Sequence, residues 1–113
     1  MTLRRVILEM GAGNDLHGGD YTKAAIRAVE DAIHHSSLTM IRTLGVDRNT
    51  VQVEVTIGVQ RPDRVDAVAV KDTLPMGQVT VNVVEGGLDI PDNEANDIAV
   101  IASAAIAVRI DLP

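Results

Sequence analysis

Residues 11–23 read GAGNDLHGGDYTK. An apolar run leads into this stretch and an amphipathic one leads out, so its reading decides where the first strand stops and the first helix starts. It holds four glycines (Gly11, Gly13, Gly18, Gly19), Asn14, Asp15, His17, Asp20, Thr22, Lys23 and the chain's only aromatic residue, Tyr21. Glycine tolerates positive φ and lets a ligand or a second chain come close to the backbone. Donors, acceptors and titratable groups on so short a frame mark it as the candidate site. Upstream, residues 3–10 alternate Val6, Leu8 and Met10 against Arg5, Ile7 and Glu9, as a strand does. The glycines are expected to end that strand. Downstream, Asp20 is a suitable N-cap for a helix over residues 21–35. Ala25, Val29, Ala32 and Ile33 fall on one side of it, with Arg27, Glu30, Asp31 and His34 mostly on the other. Alanines on the buried side would let this helix lie close to a sheet. Ser36 and Ser37 end or bend it, a further turn covers residues 38–44, and Gly45 is a C-cap candidate.

Beyond it, residues 50–60 alternate strictly. Val51, Val53, Val55, Ile57 and Val59 face Gln52, Glu54, Thr56, Gly58 and Gln60, which predicts a strand with one dry face. Arg61-Pro62-Asp63 breaks it. A helix over 64–74, capped by Asp63 with Val65, Val68 and Leu74 inward, competes with a strand in which Val68 and Val70 alternate with Ala67 and Ala69. The Pro-Asp start, Lys71 and Pro75 favour the helix. Met76-Gly77 turns the chain, residues 78–85 form a strand ended by Gly86-Gly87, and residues 88–96 read as an acidic loop. The alanines of residues 98–112 suit a helix, but their uniformly apolar even positions, with Arg109 and Asp111 on the odd side, select a strand with a break at Ser103 as an option. The order is β-α-β-α-β-β in one α+β domain over residues 1–113.

Composition narrows the function. The chain is 46% hydrophobic yet has no Phe or Trp, so Val, Ile, Leu and Ala must build the core. Without cysteine it has no disulfide, thiolate nucleophile or cysteine metal site. Sixteen acids against ten Lys and Arg argue against a nucleic-acid partner, which needs a basic face. The first ten residues are too short an apolar run for a signal peptide or membrane span, so a soluble, cytoplasmic chain is expected. A domain of 113 residues buries only part of its surface, and oligomerisation is a common remedy.

The element order resembles the mixed four-stranded sheet with two helices on one face of the trimeric AroH-type chorismate mutases, to which the YjgF-type imine deaminases are similar in shape. Gly11-Ala12 after a strand, Gly86-Gly87-Leu88, and the ending from Ala105 through Arg109, Asp111 and Leu112 carry the likeness. It implies a chorismate-mutase-like fold, a homo-oligomer (most simply a trimer) and ligands bound between subunits. Glu9 and Met10 stand where that family's first-strand arginine is expected, so its activity is not implied. Met10 through Asn14 and Gly19 through Ala25 also resemble two halves of a motif in one repeat of the cyanuric acid hydrolase and barbiturase family. Met10 replaces that family's lysine and Glu85 its serine, so the resemblance implies a scaffold and not Ser–Lys acyl chemistry. Asn14 through Lys23 and Val84 through Leu88 resemble a family of short bacterial conserved hypothetical proteins of the Lin type, over the whole chain.

The expected site joins residues 11–23 to the turn at residues 85–88. His17 is the candidate general base, oriented by Asp15 or Asp20; the plain alternative is a surface loop histidine. Glu85 and Glu9 are candidate proton-transfer partners if their strands are neighbours, or else two carboxylates on a wet sheet face. Asn14, Asp15, Asp20, Tyr21, Lys23, Gly86 and Gly87 are candidate ligand contacts. The helix start behind Asp20, with Lys23, offers an anion seat, while Asp20 alone is adequately explained as a cap. Tyr21 is either packing or a stacking surface. Glu54, Arg61 and Arg109 are expected in surface or interface ion pairs, and His34 and His35 at the helix dipole. One histidine and scattered carboxylates lack a metal-ligand spacing. No cofactor is expected. A small polar or heterocyclic metabolite, handled by acid/base or hydrolytic chemistry, is the expected ligand, with a non-catalytic binding or scaffold protein as the alternative.

Overall fold

The longest apolar alternation becomes the spine of the sheet. In the computed structural model, which describes residues 2–34, 45–74 and 77–112, strand β5 runs unbroken through Ser103 from Asp97 to Leu112. Its even positions Val100, Ala102, Ala104, Ile106, Val108 and Ile110 are all buried. β1 (Thr2–Asp15) pairs antiparallel along one side of it. β2 (Gln52–Val59) pairs antiparallel on the other side. β3 (Gln78–Glu85) lies outside β2 and parallel to it. The order is therefore β1-β5-β2-β3.

A fifth strand corrects the four-stranded expectation. Residues 88–96 are not simply an acidic loop. Leu88–Asp92 forms β4, which pairs antiparallel with residues 97–101 of β5. Asp92 closes the hairpin by accepting the N–H groups of Glu94 (3.1 Å) and Ala95 (3.2 Å), and Asn96 takes φ 51. Pro91 disguised this strand in the sequence. It is tolerated because β4 has only one neighbour and its other edge needs no donor.

The glycines do not end β1 at Met10, as their turn propensity suggested. β1 continues through them to Asp15 because Gly11 and Gly13 face helix α1 (Tyr21–His34). A methyl group at Gly11 would sit 2.5 Å from the Ala32 nitrogen and 2.6 Å from the Ala28 carbonyl oxygen. One at Gly13 would run into the Ala28 nitrogen. The helix answers with Ala24, Ala25, Ala28, Val29 and Ala32, all fully buried. Glycine on the strand and alanine on the helix let two backbones meet where larger side chains would hold them apart. A register shift between Arg5 and Ile7 then turns Ile7, Glu9, Gly11, Gly13 and Asp15 toward the helix, and Leu8, Met10, Ala12 and Asn14 away.

α1 also closes part of the outer edge of β1. The Ala12 N–H donates to Asp31 Oδ2 (2.9 Å), and Arg27 donates to the Asn14 carbonyl (2.7 Å).

The competition over residues 64–74 resolves as helix, but a short one. A 3-10 turn covers Pro62–Arg64, and α2 spans Ala67–Lys71. Its cap is Asp66, which accepts from Val68 N and Ala69 N, and not Asp63. Val70 is the buried residue; Val68, expected inward, is exposed. The further turn over 38–44, the Ser36–Ser37 helix end and His35 lie outside the described residues.

Both helices pack on the face of the sheet formed by Val53, Val55, Ile57, Val79, Val81 and the even positions of β5. Among the described residues, no helix covers the opposite face. Leu3, Leu8, Met10, Val84, Leu88 and Ile90 are exposed there, Met10 the most at 69%. The molecule is long and thin, 58 × 22 × 19 Å, with a radius of gyration of 15.4 Å, against about 13 Å for a compact chain of this length.

Gly13→Ala is expected to destabilise the fold by about 1–3 kcal/mol through overpacking against α1. Ser103→Ala, on the bare face, should change stability by less than about 0.5 kcal/mol. Urea unfolding followed by circular dichroism checks both.

Candidate functional site

The chain from β1 into α1 is held by its own acids. Asp15 is 4% exposed. Its Oδ2 accepts the Asp20 N–H at 2.9 Å, and its Oδ1 lies 3.8 Å from Lys23 Nζ and 3.9 Å from an Arg27 guanidinium nitrogen. Asp20 caps α1, as expected, by accepting the Lys23 N–H at 3.0 Å. These contacts correct the proposed anion seat. Two carboxylates already accept bonds at the positive end of the helix, and Asp15 pairs at long range with Lys23 and Arg27, whose side chains stay about half exposed. Asn14 is exposed on the other face of β1 and is not gathered with Asp15.

His17 has a partner that the sequence did not suggest. Gly18 and Gly19 take φ values of 93° and 63°, and the reversal swings the loop onto the β4–β5 hairpin. There His17 Nδ1 lies 2.9 Å from Asp97 Oδ2, and the Gly18 N–H donates to Asp97 Oδ1 at 2.8 Å. The Ile98 N–H donates to the same oxygen at 2.8 Å. The Gly18 amide, then His17, then the Ile98 amide lower the Asp97 pKa to about 2. An ionised carboxylate only accepts, so Nδ1 carries a proton, and in the neutral imidazole Nε2 is then the acceptor. The His17 side chain is 86% exposed. The result is an oriented imidazole at the surface, held by Asp97 and not by Asp15 or Asp20.

Register could have found Asp97. Asp15 pairs with Val100, so two residues further along β1 the chain arrives beside Ile98 and Asp97. Without the β4–β5 hairpin in view, that aspartate was one of several acids in a loop.

Tyr21 is a core residue at 4% exposure, the packing alternative of the two. Its hydroxyl donates to Asp89 Oδ2 at 2.6 Å. This bond joins the start of α1 to β4. Burial, then the bond to Asp89, raise the phenol pKa, while Arg61 and Arg64 act in the opposite direction. Asp89 Oδ1 is shut from solvent with no protein partner.

Glu9 and Glu85 do not meet. Glu9 pairs with Ile106, Ile106 with Val55, and Val55 with Val81, four residues before Glu85. Three strand spacings across and four residues along put the carboxylates about 20 Å apart. Their strands are not neighbours because β5 and β2 run between them. Gly86 and Gly87 serve the crossing from β3 to β4. The Gly86 N–H donates to the Val59 carbonyl (2.9 Å), and Gln60 donates to the carbonyls of Gly86 (3.0 Å) and Gly87 (3.2 Å). Glu54 and Arg109 form the expected pair at 3.7 Å, on the bare face. Among the described residues, no three His, Asp or Glu side chains gather as a metal site would need. No described helix is long and apolar enough to cross a membrane.

A mixed α+β protein with, among the described residues, a five-stranded sheet and two helices is the class this geometry defines. By sequence the chain belongs to the Lin0512 family of conserved hypothetical proteins, whose model matches residues 5–108. It is also similar to a solved FtsZ-like protein of unknown function from Nostoc punctiforme PCC 73102, at 37% identity with a TM-score of 0.85 over 99% of both chains. No curated protein matches.

Two titrations follow. The support Asp97 gives is present above its unfolded pKa and lost as pH falls through about 2. The stability advantage of wild type over Asp97→Asn should therefore be constant near neutrality and shrink between pH 4 and pH 2 (on the order of the two pKa values), read by thermal unfolding. Tyr21 is the only chromophore of its kind in the chain, so phenolate absorbance reports it alone. Its midpoint should exceed the ordinary value of about 10. In Asp89→Asn it should fall only part of the way back, because burial remains.

Proposed function

We propose that this protein is a homo-oligomer, most simply a trimer on an AroH-type chorismate-mutase-like scaffold, working in the cytoplasm on a small polar or heterocyclic metabolite bound where subunits meet. The observation that carries the chemistry is the His17–Asp97 pair. A carboxylate fixed by two amides orients the imidazole and leaves Nε2 facing outward, the arrangement of a general base. Exposure argues for the shared site. Within one chain His17 is open to solvent, so the surroundings that would hold a substrate against Nε2 have to come from another copy. The mixed sheet with its helices on one side agrees with the chorismate-mutase resemblance, and the long thin shape agrees with assembly.

A second reading, a metabolite-binding or scaffold protein without catalysis, is favoured by a specific pair of facts. The two glutamates stand apart, and the positive helix end is filled by the protein's own carboxylates.

Thermal-shift screening of polar and heterocyclic metabolites against wild type and His17→Ala, followed by turnover assays on the hits, tests the proposal. Turnover should fall by about 10²-fold or more in His17→Ala, and substantially in Asp97→Asn, with folding retained. Hits bound without turnover would select the second reading.

A further inference from the structure

Six of the eight large apolar side chains exposed in the described residues lie on one surface. Leu3, Leu8, Met10, Val84, Leu88 and Ile90 stand on the side of the sheet opposite α1 and α2, while Leu16 and Val68 lie elsewhere. Their neighbours on the strands are small. Met10 sits beside Ala105 and Thr56, and Ala12 lies in line with Ser103, Gly58 and Val84. Ridge and floor together make a hollow of about 540 Å³ in the middle of the face.

We infer that this face is an interface between copies of the chain, its apolar ridge covered by the same face of neighbouring copies. The inference rests on the homo-oligomer reading and names the surface that makes it. Area supports it. The bare parts of β1, β5, β2, β3 and β4 project to about 700 Å², close to the roughly 800 Å² that each partner contributes to a stable interface. A small ligand in the hollow would leave most of the apolar ridge wet. Charge supports a second copy over an unlike partner. The chain carries a net charge of −6, but from Ala99 to Asp111 this face holds two arginines, Arg5 and Arg109, and two acids, Glu54 and Asp111. Two copies that would repel elsewhere meet here through a neutral surface with both signs available, and sheets packed face to face exclude water at about 10 Å separation.

The test compares wild type, Met10→Asp with Ala105→Asp, and Val68→Asp by sedimentation velocity and native mass measurement. Circular dichroism and cooperative melting establish that each is folded. Wild type and Val68→Asp should assemble, and the double variant should associate about 100-fold or more weakly while keeping its spectrum. An assembled double variant would overturn the interface and leave the oligomer reading standing. A wild type that remains a single chain at high micromolar concentration would overturn both. A double variant that loses its cooperative melt is replaced by Leu88→Lys, at the margin of the same face, judged by the same loss of assembly.

Discussion

The contact between the alanine side of α1 and the glycines of β1 organises this molecule. Gly11 and Gly13 give up side chains so that the helix backbone can settle on the strand. With no Phe or Trp to fill a wider gap, a sheet and helix could not reach native packing density at an ordinary separation. The short distance lets Ala, Val and Ile, with Tyr21, close the interior. It also fixes where β1 ends, where Asp20 caps the helix, and how the following loop reaches across to the β4–β5 hairpin. The position of His17 is thus set by packing more than by the loop's own chemistry.

Much of this was legible in the sequence. Strict alternation identified β2, β3 and β5, and the alanine-lined side of α1 pointed to close packing. The element after Arg61-Pro62-Asp63 was recognisable as a helix because its boundary residues outweighed a short valine alternation. What stayed hidden depended on contacts between distant segments. Gly11 and Gly13 read locally as a turn, and only the presence of Ala28 and Ala32 above them makes them strand residues. Pro91 and its acidic neighbours masked β4, whose existence depends on pairing with β5.

The candidate site divides along the same line. Asp15, Asp20, Lys23 and Tyr21 were singled out as a cluster of polar chemistry; Asp15 and Tyr21 are buried, and the partners of all four lie within the chain, where they hold strand to helix. Asp97 and Asp89, the residues that give His17 and Tyr21 their character, lie about 70 to 80 positions away and become neighbours only through antiparallel register. Glu9 and Glu85 show the reverse. Each stands beside glycine-rich sequence, yet two intervening strands separate them.

The bonds from Asp31 and Arg27 to the margin of β1 have a consequence for how the protein avoids fibres. An unpaired strand margin is a template for endless addition of further strands. Here the amide of Ala12 and the carbonyl of Asn14, the very groups that would recruit another strand, are already engaged by α1. Growth at this end of β1 would first have to displace the side chains of Asp31 and Arg27, so the helix that packs on the strand also guards its margin there.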